Sequence, residues 1–204
     1  MNRRNFLIAP LIALAASPIG AAEVEPIPLT DISTYMNALE TAKGGFTQIN
    51  PDGTISTGMI YIKRPGRMRF DYDPPDPALV MAGGGTVAIF DRKSNEPPQQ
   101  FPLKRTPLSV ILEKDVDLTR ANMITGHMAD ENSTTITAQD PENPDIGYID
   151  LVFTADPVEL RKWVITDEAG SQTTVILGDM ETGLSLPASL FSVPIEIRKQ
   201  RNAP

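Results

Sequence analysis

The chain has 204 residues, with 26 acidic and 18 basic side chains and a net charge of −8. This length suits one domain of ordinary size, and the acidic balance argues against nucleic acid or an anionic membrane surface as partner. With no cysteine anywhere, the sequence excludes disulfides, a Cys–His nucleophile and a lipid anchor on a cysteine following a signal.

Residues 1–22, "MNRRNFLIAPLIALAASPIGAA", place Arg3 and Arg4 before an apolar run from Phe6 to Ala16 and end in the small residues Ala21 and Ala22. That layout predicts a cleaved secretory signal and a mature domain over 23–204. The run is short and interrupted by Pro10 and Pro18, so it does not read as a permanent membrane span. Arg-Arg-x-Phe-Leu fits twin-arginine export as well as the ordinary Sec route, and both stay open. Either route delivers the domain to a bacterial periplasm. Loss of the signal removes two arginines and no acid, which makes the mature chain still more acidic.

Beyond the signal, "DISTYMNALETAK" (31–43) sets Ile32, Tyr35, Met36 and Leu39 at helical spacing, and Gly44-Gly45 reads as its stop. Four alternating runs follow closely, at 58–64, 67–72, 78–82 and 86–91, separated by Pro-Gly, by Pro-Pro-Asp-Pro and by Gly83-Gly84-Gly85. "TPLSVILEK" (106–114) predicts a short helix with Thr106 as N-cap, Pro107 at its first position and Leu108, Ile111 and Leu112 on one side. Weaker strand signals lie in "NMITGHM" (122–128) and "STTITA" (133–138), and stronger ones at 148–155, 160–167 and 172–180. "PASLF" (187–191) suggests a last short turn. The pattern predicts one long antiparallel meander with hairpin links, and helices too few to cover both faces of the sheet.

Chemistry-bearing residues are sparse. His127 is the only histidine, so no nitrogen-and-sulfur metal cluster can form, and no Gly-x-Ser-x-Gly elbow accompanies it. His127 therefore reads as an ordinary strand or loop residue. The triple glycine is followed by the strand "TVAIF", which makes it a hairpin turn, not a phosphate loop. The acidic stretches "EKDVDLT" (113–119) and "DPENPD" (140–145) lack the glycine of a calcium loop and read as solvated loops. No catalytic residue, metal ligand or cofactor site is assigned.

Alternation carries more. Gly58, Ile60, Ile62 and Arg64 share one face of their strand, and Met59, Tyr61 and Lys63 share the other; after the turn, Met68, Phe70 and Tyr72 oppose Arg67, Arg69 and Asp71. One face of this hairpin is apolar apart from Arg64. On periodicity alone, Arg64 is a strand-end arginine reaching water.

"FTQ" (46–48), "GMIYIKRPGRMRFDYDPPDPALVMAGGGTVAIFD" (58–91), "TPLSVIL" (106–112), "LRKWVITDEAGSQTTVIL" (160–177) and "LFSVP" (190–194) together resemble the LolA family of periplasmic lipoprotein carriers. The likeness covers most of the mature chain and is weakest over 114–146. It implies a mainly β fold with a few helices: a half-open antiparallel β-barrel with a helical lid over an apolar cavity. It implies a non-enzymatic, monomeric carrier that takes lipoprotein acyl chains from an inner-membrane lipoprotein-releasing ABC transporter and passes them to an outer-membrane acceptor lipoprotein. Ile60, Ile62, Met68, Phe70, Tyr72, Leu108, Ile111 and Leu112 would line the cavity, with Phe70 where the family leads one to expect tryptophan. Arg64 would latch the lid, received by carbonyls at the end of the 106–114 helix or near Gly44. A cavity for another lipid, a sensor of mislocalised lipoproteins, and an acyl-ester hydrolase using His127 are the alternatives.

Overall fold

A computed structural model of the chain describes residues 24–94 and 96–202; the export signal read in residues 1–22 lies outside them. Eleven strands form one antiparallel sheet: β1 (Thr41–Ile49), β2 (Ile55–Lys63), β3 (Arg67–Tyr72), β4 (Ala78–Gly83), β5 (Thr86–Asp91), β6 (Gln99–Pro102), β7 (Ile124–Ala129), β8 (Thr134–Gln139), β9 (Tyr148–Thr154), β10 (Glu159–Thr166) and β11 (Gln172–Thr182). Three α-helices accompany them among the described residues: α1 (Leu29–Ala38), α2 (Leu108–Leu112) and α3 (Val193–Arg201).

The order across the sheet is β6-β5-β4-β3-β2-β1-β11-β10-β9-β8-β7. Each half is a hairpin meander, as the turn signals predict. The expectation of a single continuous meander is corrected, because the halves are joined by pairing of β1 with β11. Strands β6 and β7, consecutive in the chain, form the two outer edges of an unclosed barrel. The segment between them is too long for a hairpin and carries a 3-10 turn (Leu103–Arg105) and α2.

Strand β1 corrects a second expectation. Helix α1 ends at Ala38, short of Lys43, and Gly44-Gly45 lie inside β1. A Cβ on Gly44 would stand 2.4 Å from Met180 Sδ and 2.7 Å from the Asp179 carbonyl oxygen, where the register between β1 and β11 shifts. Glycine here serves close strand approach at a bulge and does not stop a helix. The other glycine run behaves as predicted: Gly84 and Gly85 take φ of 62° and 80°, which a tight hairpin turn needs. The short helix also differs from its expectation. It starts after Pro107, and Thr106 does not cap it; the Thr106 hydroxyl donates back to the Leu103 carbonyl.

The two faces of the sheet are covered differently. Helices α1 and α2 pack on the inner face, in one continuous apolar cluster with β1–β3 and β8–β11. On the outer face, Leu79, Met81, Ala88 and Phe90 of β4 and β5 are buried under Val193 of α3. The "PASLF" turn is a 3-10 segment (Ala188–Phe191) leading into α3, so the C-terminal elements are no part of the lid.

Candidate functional site

All eight residues predicted to line a hollow point into the inner cluster. Ile60, Ile62, Met68, Phe70 and Tyr72 come from the β2–β3 hairpin, and Leu108, Ile111 and Leu112 from α2; none is more than 9% exposed. The register explains the common face, since Ile60 pairs with Phe70 and Ile62 with Met68 across the hairpin. Ile32 and Met36 of α1 fill the space above them, at 0% and 1% exposure. In this closed form the lid's own side chains occupy the inner space.

Aromatic side chains shape the floor. Phe46 meets Phe70 and Tyr72 edge-on, each at 5.1 Å between ring centroids, and Phe70 meets Trp163 edge-on at 6.2 Å. The inward place of Trp163 is not legible in the residue pattern, for a physical reason. Strict alternation puts Leu160 and Trp163 on opposite faces, but a bulge between Leu160 and Lys162 turns both inward, where they pair with Phe153 and Leu151. Burial first, then the charge of Asp76, pushes the Tyr72 phenol up to about 12 against the opposing pull of its hydrogen bond to Gln48. Tyr72 is thus neutral at any physiological pH.

Arg64 stands at the rim of this cluster, where β2 ends. Its Nε and Nη2 both donate to the carbonyl oxygen of Glu113, at 3.2 and 2.5 Å, immediately after α2. The fork therefore converges on one acceptor at the end of α2, and its main-chain N–H donates to the Glu40 carbonyl, 2.8 Å away, just past α1. The N–H of Gly66, in the same turn, donates to the Leu112 carbonyl at 2.9 Å. Burial draws the Arg64 guanidinium down, with Glu113 and Asp115 acting the other way.

The lid holds together by ties that no sequence pattern announced. Asn37 of α1 donates to the Val116 carbonyl and accepts from the Val116 N–H, both at 2.9 Å, and the Leu118 N–H donates to the Ser33 hydroxyl at 3.1 Å. Helix α1 and the segment after α2 are thereby linked. The N-terminal segment is fixed separately: the Ile27 N–H donates to Thr134 Oγ1, and His127 Nε2 lies 2.9 Å from the Ile27 carbonyl oxygen. Asp117 and Asp140, in the two acidic stretches, accept hydrogen bonds from residues of their own turns.

The arginine enclosed most fully is a different one. Arg69, on the outer face of β3, is 7% exposed; it pairs with Asp71 at 2.7 Å and Glu196 of α3 at 3.3 Å, and donates to the Leu190 carbonyl. Alternation places Arg69 and Asp71 on that face, but no sequence pattern marks α3, the element that buries them.

Residues 37–194 match the family model described as "Outer membrane lipoprotein carrier protein LolA". An outer-membrane lipoprotein carrier protein of Methylococcus capsulatus is 24% identical, over 92% of this chain and 91% of that protein. One of Nitrosomonas europaea is 23% identical, over 94% of each. Among solved structures, a LolA-superfamily protein from Nitrosomonas europaea aligns with a TM-score of 0.43 and 9% identity, over 80% of this chain and 95% of that one.

Proposed function

This chain belongs to the LolA family, and we propose that it carries lipoproteins by sheltering their acyl chains in the inner cluster beneath α1 and α2. The observation that carries this reading is the joining of an apolar inner face to a lid by few polar ties: Arg64 and Gly66 hold the end of α2 through the carbonyls of Glu113 and Leu112. An acyl chain of about sixteen carbons exposes apolar surface worth about 12 kcal/mol at ~0.8 kcal/mol per CH₂, so it needs cover to cross water. A carrier must also release it. Charge-assisted hydrogen bonds of about 1.5–3 kcal/mol give the empty closed form enough stability to compete with cargo.

On this reading residues 1–22 are cleaved, the protein works in the periplasm without covalent chemistry or a cofactor, and it acts as a monomer. It takes cargo from an inner-membrane lipoprotein-releasing ABC transporter and hands it to an outer-membrane acceptor. The test uses a photo-crosslinking residue at Phe70, on the inner face, and at Tyr61, which pairs with Arg69 on the outer face. Capture of lipoprotein at Phe70 and not at Tyr61 is expected. Equal capture at both would reject the inner cluster as the cargo site.

A further inference from the structure

Helix α2 is thin, and it has two faces. Leu108, Ile111 and Leu112 point into the inner cluster, while Ser109, Val110 and Glu113 line the opposite side. On that opposite side lies a cleft of about 250 Å³, between α2 and the ends of β8 and β9, with an adjoining one of about 200 Å³ that shares Ser109, Val110, Glu113 and Met123. Both sit along the segment that crosses the unclosed seam between β6 and β7.

We infer that this seam cleft is where one acyl chain of the lipid anchor first docks, and that the chain reaches the interior by displacing α2; the inference rests on the carrier reading above. Three observations converge on it. The cleft abuts the interior: Ala138 and Ile149 line it and belong to the buried cluster, and Val110 and Met123 pack against that cluster. The partition is weak, for α2 spans only Leu108–Leu112 and has no side-chain N-cap hydrogen bond, and so short a helix is marginal without its packing. The latch borders the cleft, because Glu113, whose carbonyl receives Arg64, also lines it. A chain pressing on Val110 therefore acts on the element that Arg64 and Gly66 hold. A flexible apolar chain suits a floor of Val110, Met123, Ala138 and Ile149, and the polar residues that also line the cleft, among them Lys104, Glu113, Gln139 and Asp140, suit the polar group to which such a chain is joined.

The protein supplies its own reporters for a test. Trp163 is the single tryptophan and is fully buried in the inner cluster, and the chain has no native cysteine. In Ser109→Cys, a near-isosteric change, a benzyl methanethiosulfonate reagent plugs the cleft reversibly; Ile176→Cys carries the same adduct on the exposed outer face as control. A synthetic lipopeptide with brominated palmitoyl chains quenches Trp163 when it reaches the interior. The adduct at position 109 should slow quenching at least tenfold, reductant should restore the rate, and the adduct at position 176 should leave it unchanged. Quenching within twofold of the unmodified rate with the 109 adduct in place would overturn the docking role and leave the carrier reading standing. No quenching in the unmodified protein would overturn both.

Discussion

Arg64 directs two guanidinium N–H groups at one carbonyl, that of Glu113, whereas Arg69, a little further along the same hairpin, is enclosed by Asp71, Glu196 and the Leu190 carbonyl. Their substitutions should fail in different ways. Arg64→Leu removes the tie between the β2–β3 turn and α2 and adds apolar surface at the rim, so the protein should load normally and release poorly. A loss of about 1.5–3 kcal/mol corresponds to roughly ten- to hundredfold slower transfer of bound lipoprotein to outer-membrane vesicles; transfer at the normal rate by a folded variant would reject the latch. Arg69→Met instead removes the buried cation that both Asp71 and Glu196 contact, leaving them with the more exposed Arg92 and Lys199, and should cost about 1–3 kcal/mol of folding stability, read by urea denaturation. Asp71 adds a pH dependence. Burial pushes its carboxyl up, but the hydrogen bonds and charge of Arg69, then those of Arg92, outweigh burial and hold it below the ordinary 3.8. A carboxylate whose folded pKa is depressed stabilises fully above its unfolded value and loses that contribution as pH falls through the folded one. The melting temperature should therefore drop on acidification from about pH 5 to about pH 2, and Asp71→Asn should flatten part of that slope.

Among the elements, the tie between α1 and the segment after α2 is local enough to test alone. Asn37 makes two 2.9 Å hydrogen bonds to the main chain of Val116, so Asn37→Ala leaves a half-buried N–H and C=O unpaired, at about 1–3 kcal/mol. Hydrogen exchange at the Val116 and Leu118 amides should quicken while the amides of β1–β3 keep their protection; unchanged exchange at Val116 would mean that the lid coheres by packing alone. Elements of this kind mark how far the sequence could be read. The hairpins over 58–91 and 148–182 were legible because alternation and turn residues coincide there; five of the eight inner residues followed from that alternation, and Leu108, Ile111 and Leu112 from the helical spacing of 106–114. Strand β1 was hidden because "TAKGG" has Thr41 as its single β-branched residue and its glycines mimic a helix stop, although Gly44 serves close approach to Met180 and Asp179. Helix α3 was hidden because "VPIEIRKQR" has little apolar periodicity and holds its place through Arg69 as well as through Val193. The inward turn of Trp163 depends on a bulge, which leaves no mark in a pattern of residue types.

For the whole molecule, the pairing of β1 with β11 sets the frame on which the proposed carrier works. It joins both meanders into one sheet and leaves the seam between β6 and β7 crossed by the segment that carries α2. On the proposed carrier reading, loading is an exchange of apolar groups over the sheet's inner face. Ile32, Met36, Ile111 and Leu112 occupy the inner face in the closed form, at 0–2% exposure, and four such side chains represent about 6–12 kcal/mol of burial at ~1.5–3 kcal/mol each. One acyl chain of about sixteen carbons offers about 12 kcal/mol. The two are close enough for either to displace the other, which a carrier requires, and the few kilocalories in the lid's hydrogen bonds are then sufficient to tilt the balance toward release. The expected consequence is an asymmetric response to cargo. On binding a palmitoylated lipopeptide, amides of α1, α2 and 113–118 should exchange faster, together with Gly66, whose N–H is released from the Leu112 carbonyl. Amides of β1–β3 and β9–β11 should exchange at least as slowly as before, because their apolar cover is replaced and not lost. Slower exchange in α2 on loading would show that the chain adds to a standing lid instead of displacing it, and lid displacement would then fail as the route of uptake.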